Sequence, residues 1–331
     1  LIRHVGNKLF KNYVEINLKA DKEGSGIFAS VRSVEEFFLQ LGAIAGNRLG
    51  NRDDTIVFLD EIQSYPHLMT MLKFLNEDGR YRYIASGSEL GVALAQTPSV
   101  PIGSIAIEQM YPLDFEEFLL AMGCSQDTID GMREYFHDRK PLNDSLHNYM
   151  LRQFKIYLLV GGMPDAINKF IKSRNIAQVR KIQRDIHSLY KLDASQYDEE
   201  RKLVIRKIYD MIPSNMENKK KRIVAKEIEG KQGKRMTDYL YEFEYLISSG
   251  VALEVKAISK PSYPLVQNSG KNLLKLYLND VGLLTDVLYG TNVMPILKDI
   301  ASINLGSVYE SVVAQELRAH GHGLFYYDNK K

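Results

Sequence analysis

The residues best suited to chemistry in this chain are two adjacent carboxylates, Asp60 and Glu61, which directly follow four apolar residues, 56–59. An apolar run of this kind is typical of a strand buried on both faces, as in a parallel sheet. Open α/β sheets bind their ligands at the carboxyl ends of the strands. Because two acids at such a place are costly to desolvate unless a cation meets them, the pair predicts a positively charged ligand.

One such ligand is Mg²⁺ carried by a nucleotide, which P-loop NTPases hold with an acid at the end of a strand. In this interpretation Asp60 binds Mg²⁺, directly or through water, and Glu61 orients and polarises the water that attacks the γ-phosphate. The alternative is a strand that simply ends in solvent on two acids. The spacing of the residues leaves both interpretations open.

The phosphate side of such a site is missing from the sequence. A P-loop has the pattern G-x-x-x-x-G-K-[ST]. The Gly-Lys pairs at 230–231, 233–234 and 270–271 lack the upstream glycine, and Ser or Thr follows none of them. The chain therefore has the metal side of a nucleotide site without the phosphate-binding loop.

Ser86 and Ser88 follow the next predicted strand, residues 81–85. A polar side chain at the end of a neighbouring strand can reach the γ-phosphate or the attacking water. The alternative is a Ser-Gly-Ser turn, and the spacing alone favours that turn.

The bulk composition excludes several classes of protein. The 331 residues are 45% hydrophobic and 25% charged, with a net charge of +2, so the composition demands neither a nucleic acid nor a membrane partner. No apolar run approaches the length of a membrane span, and no signal peptide is visible. The single cysteine suits a reducing compartment, and we expect a cytoplasmic protein. Because the chain begins with Leu1 rather than Met, we expect it to be a piece of a longer protein.

The elements that must position these residues alternate between strand and helix over residues 1–110, which predicts an α/β fold with a parallel sheet and helices on both faces. The predicted strands cover 13–18, 55–60, 81–85 and 104–109, and helices begin after Ser33 and at Pro66.

Beyond this region the pattern is mostly helical up to about residue 197, with one break at 161–164. Residues 201–260 follow the order helix, short helix, helix and strand, which is typical of a winged helix. We therefore predict a nucleotide-binding domain, a helical region, a winged-helix-like domain and the start of another α/β unit, at residues 1–123, 124–198, 199–260 and 261–331.

Other polar residues favour simpler interpretations. The basic residues at 219–222 and 231–235 could contact nucleic acid, but a solvated loop and wing are favoured. Glu310 could serve as a metal-binding acid, although a solvated helix face is favoured. His320 and His322 have no cysteine or acid at metal-ligand spacing along the sequence, which favours a surface turn.

Four motifs in a fixed order give the chain a family resemblance. The motifs are FLDEIQ at 58–63, ASGS at 85–88, YPLDFEEFL at 111–119 and YLNDVGLL at 277–284. With them the chain resembles the prokaryotic AAA-family ATP-binding proteins, in which an AAA-type ATPase domain precedes a C-terminal domain of unknown function with winged-helix and PD-(D/E)XK nuclease-like parts.

The resemblance implies that Asp60 and Glu61 are the Walker B acids and that Ser86 or Ser88 belongs to the sensor region. It also implies a P-loop immediately upstream of Leu1. The nuclease-like part, of which only Glu310 would remain, is incomplete because the sequence lacks its acidic strand motif.

We therefore expect an ATPase that couples Mg-ATP hydrolysis to an unknown partner, with residues 1–331 alone inactive. Its partners would be ATP, a protein or DNA bound through residues 199–260, and possible further copies of itself, with no membrane. One alternative is a DNA-binding or nuclease-related protein that the nucleotide domain regulates. Another is a non-enzymatic adaptor.

Overall fold

A computed structural model describes residues 1–87, 90, 103–193, 201–218, 221–269, 274–298 and 305–327. The chain divides into two compact units, Leu1–Gln109 and Met110–Lys331, and each is described by itself. Within the described ranges, no helix has both the length and the apolar character that a bilayer-spanning segment needs.

The first unit is a three-stranded parallel sheet with helices. The strand order is β1-β2-β3, so β2 lies in the centre. Its elements in chain order are α1 (Ile2–Leu9), β1 (Asn12–Asn17), α2 (Leu18–Glu23), α3 (Val34–Ala45), β2 (Thr55–Asp60), α4 (Pro66–Asp78) and β3 (Arg82–Ala85).

Local chemistry explains where the two longer helices begin and end. The Ser33 side chain accepts a hydrogen bond from the backbone N–H of Glu36 and caps the start of α3. Helix α4 begins at Pro66, whose fixed φ suits a first helical position. It ends before Gly79, which has a φ of 77°, a left-handed conformation that glycine adopts without strain.

The two faces of the sheet are both covered, as alternation along the strands requires. One face, which includes Val57 and Leu59, packs with α3 and α4 into the main core of this unit. The opposite face carries Tyr13, and α1 crosses it so closely that a Cβ at Gly6 would overlap the Tyr13 ring. Strand β2 is therefore buried on both faces up to Asp60, which confirms the expectation for this run.

The parallel α/β sheet predicted for the first part of the chain is confirmed, but one predicted strand is wrong. Residues 104–109 form the end of a turn, a single bridge at Ile105 and irregular backbone. Ile107 is 59% exposed, so pairing of this segment would bury little apolar surface.

The second unit is mainly helical and contains one mixed sheet of order β5-β4-β6, in which β4 pairs antiparallel with β5 and parallel with β6. Its elements are α5 (Phe115–Ala121), α6 (Gln126–His137), α7 (Asp144–Val160), α8 (Pro164–Ser173), α9 (Ile176–Asp193), α10 (Lys202–Glu217), α11 (Ala225–Glu229), α12 (Leu240–Ser248), β4 (Ala252–Ile258), β5 (Leu274–Leu278), α13 (Val281–Tyr289), α14 (Met294–Leu297), α15 (Gly306–Ala319) and β6 (Phe325–Tyr327).

The break expected at 161–164 lies between α7 and α8, where Gly161 has a φ of 75°. Gly162 follows in close contact with the backbone of Leu113, where there is no room for a Cβ. These two glycines let the chain turn inside the core of the unit, against α5 and α13.

The order of elements predicted for residues 201–260 is present as α10, α11, α12 and β4. Strand β5, which the prediction placed in the next unit, shares a sheet with β4. The winged-helix and nuclease-like identities, and the boundaries at 123, 198 and 260, stay predictions.

Candidate functional site

Three polar side chains meet at the carboxyl edge of the parallel sheet, one from the end of each strand. The Asn17 amide nitrogen lies 3.1 Å from Oδ2 of Asp60 and donates a hydrogen bond to it. The Ser86 hydroxyl donates to Oδ1 of the same carboxylate over 2.6 Å. Asp60 is partly exposed. The carboxylate thus lies at the centre of a small polar cluster that opens to solvent.

Strand register produces this cluster. Asn17 pairs with Asp60 across β1 and β2, so the two side chains leave the sheet on the same face. Beyond the last registered pair, the Ser86 N–H donates to the Leu59 carbonyl, and the Ser86 carbonyl accepts from the Ile62 N–H. These backbone bonds hold Ser86 level with Asp60.

Glu61 has a left-handed backbone conformation, with a φ of 57°. This conformation is uncommon for a residue with a Cβ, and such residues concentrate at turns and functional sites. Here it turns the chain sharply from β2 into a short 3₁₀ helix, Ile62–Ser64. The Glu61 carboxylate accepts a 2.6 Å hydrogen bond from the Gln63 side-chain amide.

The Gln63 amide is held against Gly87, just beyond β3. A Cβ at Gly87 would overlap the Gln63 amide oxygen, so only glycine leaves room for this arrangement. That amide oxygen is buried and accepts no hydrogen bond from the described residues. Glu61 is therefore positioned through Gln63 and Gly87 rather than by an ion pair.

Cations near this edge are engaged elsewhere. Arg3, at the start of α1, donates to both carboxylate oxygens of Glu15, and Tyr13 also donates to Glu15. Hydrogen bonding from Arg3 is the main reason that the pKa of Glu15 lies below its usual value. Within the part of the chain that the structure describes, no basic side chain forms an ion pair with Asp60 or Glu61.

The structure brings Asp60 and Ser86 together. Glu61 follows Asp60 in the chain and is hydrogen-bonded to Gln63, while Ser88 lies outside the described residues. Sequence reasoning missed Asn17 and Gln63. A signal was present for Asn17, because it is a polar residue close to the end of a predicted strand. Nothing in the sequence pointed to Gln63, whose role depends on the turn at Glu61.

The second unit contains a buried polar network of a different kind. The Asp280 carboxylate accepts backbone hydrogen bonds from Gly162, at 2.6 Å, and from Leu283, at 3.0 Å. Burial raises the pKa of Asp280 to about 6, although these bonds oppose the shift. Asp280 therefore joins the turn between α7 and α8 to the start of α13.

Arg180 is fully buried beside this network. Its guanidinium donates to the carbonyl oxygens of Leu159, Gly282 and Gly290, and it lies 3.7 Å from Asp286. Burial lowers the pKa of Arg180 to about 10, which still leaves it charged at neutral pH. These contacts hold helices together, and no open edge is present here that resembles the one at Asp60.

The basic segments considered for nucleic acid are partly neutralised. Lys221 donates to Glu310 over 2.7 Å, and its side chain is only 17% exposed. Lys231 pairs with Glu229 at 3.0 Å. Lys219 and Lys220 lie outside the described residues. Glu310 also accepts a hydrogen bond from the Tyr277 hydroxyl.

Two family models match the chain. Residues 1–119 match an AAA domain, and residues 151–292 match a domain of unknown function, DUF8612. No curated protein and no solved structure matches it. The candidate site at Asp60 lies inside the first match, and the network around Asp280 lies inside the second. The match over residues 1–119 supports an AAA-family, ATPase-like domain in this part of the chain.

Proposed function

We propose that the AAA-type domain binds ATP with Mg²⁺ at the carboxyl edge of its sheet and hydrolyses it. The remainder of the chain would couple the nucleotide state to a partner. The observation that carries this proposal is the convergence of Asn17, Asp60 and Ser86 at the ends of three adjacent parallel strands. The family match over residues 1–119 supports the same proposal.

The residues at this edge fit a magnesium ion. Mg²⁺ prefers oxygen ligands and often uses one or two carboxylates together with nucleotide phosphates. Among the described residues, Asp60 accepts hydrogen bonds from the neutral groups of Asn17 and Ser86, which orient its carboxylate without an opposite charge. Asp60 would hold the ion, directly or through water, with Ser86 fixing the carboxylate.

Glu61 would act on water rather than on metal. Mg-ATP would supply the γ-phosphoryl group and neutralise the charge that develops on it. The Glu61 carboxylate would accept a hydrogen bond from the attacking water, while Gln63 keeps the carboxylate in place. Ser86 would lie where the sensor region is expected. Ser88, the other predicted sensor residue, lies outside the described residues.

The phosphate-binding loop sets a condition on this proposal. Residues 1–331 contain no G-x-x-x-x-G-K-[ST] pattern, so the sequence offers the β- and γ-phosphates no loop of this kind. We therefore predict weak or absent ATP binding by residues 1–331 alone. Tight binding by this chain would contradict that prediction.

The decisive experiment measures nucleotide binding and hydrolysis by the natural protein that contains these residues. Wild type should bind and hydrolyse Mg-ATP. Glu61→Gln should bind it but hydrolyse on the order of 10²–10⁴-fold more slowly, the usual contribution of a general base. Asp60→Asn should weaken the Mg²⁺-dependent part of binding.

Glu77→Gln, which changes an exposed acid on α4, is the matched control and should behave as wild type. If neither wild type nor Glu61→Gln binds Mg-ATP at millimolar concentration, the proposal is wrong.

The partner stays a hypothesis. Binding of DNA through residues 199–260 would need free cations, and the ion pairs of Lys221 and Lys231 do not favour it. A salt titration tests it, because phosphate contacts make affinity fall steeply with salt. A protein partner, self-association and a cytoplasmic location also remain predictions.

A further inference from the structure

We propose that Asp114, Glu316 and His320 form a binding site for a divalent transition metal of the zinc class. One ligand atom from each of the three residues lies within 4.8 Å of the other two. The site belongs to the second unit and is separate from the Asp60 cluster. It joins the start of α5 to the end of α15, which are about two hundred residues apart in the sequence.

The orientation of His320 supports a metal. Its Nδ1 lies 2.8 Å from the Glu316 backbone carbonyl oxygen, so Nδ1 carries a proton and donates to that oxygen. Histidines that bind metals commonly donate their other ring N–H to a carbonyl or a carboxylate in this way. Nε2 is then the ring nitrogen left for either a metal or a second proton, and it faces Asp114.

The spacing at Nε2 suits an ion better than a hydrogen bond. Nε2 of His320 and Oδ2 of Asp114 are 3.6 Å apart, beyond the normal hydrogen-bond range. In a tetrahedral zinc site with bonds of about 2.1 Å, two ligand atoms are about 3.4 Å apart. The three ligand atoms lie within 4.8 Å of one another, so the third ligand, from Glu316, would move inward to reach the same centre.

In both Asp114 and Glu316, one carboxylate oxygen accepts a hydrogen bond from a backbone N–H, and the other oxygen can face a ligand. Oδ1 of Asp114 accepts the Glu117 N–H and caps α5, which leaves Oδ2 toward His320. Oε1 of Glu316 accepts the Phe115 N–H at 2.9 Å. Within the described ranges, no group donates to Oε2 of Glu316. The backbone thus fixes each acid and spares an oxygen for a ligand.

The combined charge of Asp114, Glu316 and His320 favours a divalent cation. Two carboxylates with a neutral imidazole carry a charge of −2, which one divalent ion balances, whereas a protonated His320 would leave −1.

The ligand set identifies the class of metal. A nitrogen ligand together with two carboxylates suits Zn²⁺ and its neighbours rather than Mg²⁺ or Ca²⁺. With three protein ligands, and with the His320 side chain 57% exposed, a fourth position opens to solvent. The bound ion would hold α5 and α15 together.

The test is a titration of the purified chain with Zn²⁺ by calorimetry, together with the visible absorption of bound Co²⁺. We expect one Zn²⁺ per chain with micromolar affinity, and a Co²⁺ spectrum of low coordination number. His320→Ala and Glu316→Gln should each weaken binding by on the order of 10–100-fold or more. His322→Ala is the matched control, because it removes an exposed histidine two residues away and should leave binding unchanged.

Glu316→Gln keeps an oxygen for the Phe115 N–H, and circular dichroism checks that each variant folds. Affinity should also fall as the pH drops, because protons compete for His320. Absence of Zn²⁺ binding at about 100 μM would overturn the proposal. So would binding that His322→Ala abolishes and His320→Ala does not.

Discussion

Ser86 and Asp60 end neighbouring parallel strands, and the Ser86 hydroxyl donates a 2.6 Å hydrogen bond to the Asp60 carboxylate. A hydrogen bond to a charged acceptor is stronger than one between neutral groups. The bond therefore fixes the carboxylate before any ligand arrives, and the ligand does not have to order it.

Ser86→Ala tests this pre-orientation. Loss of one hydrogen bond to a charged group corresponds to about 1.5–3 kcal/mol. We expect the Mg²⁺ concentration needed for half-maximal nucleotide binding to rise about tenfold or more in the natural protein. Ser30→Ala, at an exposed serine of the same unit, should leave it unchanged. An unaltered Mg²⁺ requirement in Ser86→Ala would show that Asp60 needs no support from Ser86.

Gly87→Ala tests the positioning of Glu61. A Cβ at residue 87 overlaps the Gln63 amide oxygen, so this amide must move, which displaces the group that donates to Glu61. We expect a drop in the rate of ATP hydrolysis of about tenfold or more, with nucleotide binding largely kept. The measurements are kcat for ATP hydrolysis and the dissociation constant for ATP, each compared between the variant and wild type.

The control for this prediction is Gly42→Ala. Gly42 lies inside α3, and a Cβ there meets nothing within 4 Å. Alanine should stabilise the helix by about 0.5–1 kcal/mol and leave hydrolysis unchanged. Equal rates in Gly87→Ala and wild type would remove Gln63 from the proposed site.

Arg180→Met tests the buried network of the second unit. Removal of Arg180 takes away the buried charge beside Asp286 and leaves that carboxylate with the exposed Arg184, which costs on the order of 3–5 kcal/mol. We expect thermal unfolding of this unit to shift down by several degrees. The matched control is Arg184→Met, because Arg184 lies 3.8 Å from the same carboxylate but is 61% exposed. An exposed pair contributes about 0–1 kcal/mol, so equal shifts in the two variants would contradict this view.

Asp280 predicts a pH dependence of stability. Burial raises the pKa of this acid from 3.8 to about 6, so the folded state holds a proton that the unfolded chain releases. The contribution of Asp280 to the free energy of unfolding is therefore largest below pH 4. It falls by on the order of 3 kcal/mol as the pH rises to about 6 and then stays level.

The measurement compares wild type with Asp280→Asn by calorimetry between pH 4 and 7. Asparagine does not titrate, so the difference between the two proteins isolates the contribution of Asp280. The stability of wild type relative to the variant should decrease across this range. An increase would mean that the carboxylate is stabilised rather than destabilised by its surroundings.

The sequence was sufficient for the central part of the fold. The run at β2 was recognisable because burial on both faces requires apolar residues without alternation, and Asp60 marks where that burial ends. The start of α3 was recognisable because Ser33 caps it through a local hydrogen bond. Both signals lie within a few residues along the chain.

Contacts between distant residues could not be predicted in the same way. The pairing of Asn17 with Asp60 depends on the register between two strands, and the contact of Gly162 with Asp280 links residues 118 apart in sequence. For His320, the sequence analysis overlooked Glu316, which lies four residues earlier, near the end of α15, and Asp114 is brought near only by folding. For residues 104–109 the sequence predicts a strand that the structure does not contain. Alternation of apolar and polar residues does not by itself make a strand when no neighbouring strand pairs along its length.

The sheet of the second unit has a consequence for synthesis on the ribosome. Strand β4 pairs with β5 soon after both have emerged, but its other edge pairs with β6, some seventy residues further along the chain. During that interval a flank of β4 exposes free backbone donors and acceptors, which attract strands from other nascent chains. We expect the yield of correctly assembled protein to be most sensitive to translation speed and to chaperones while this stretch is being made.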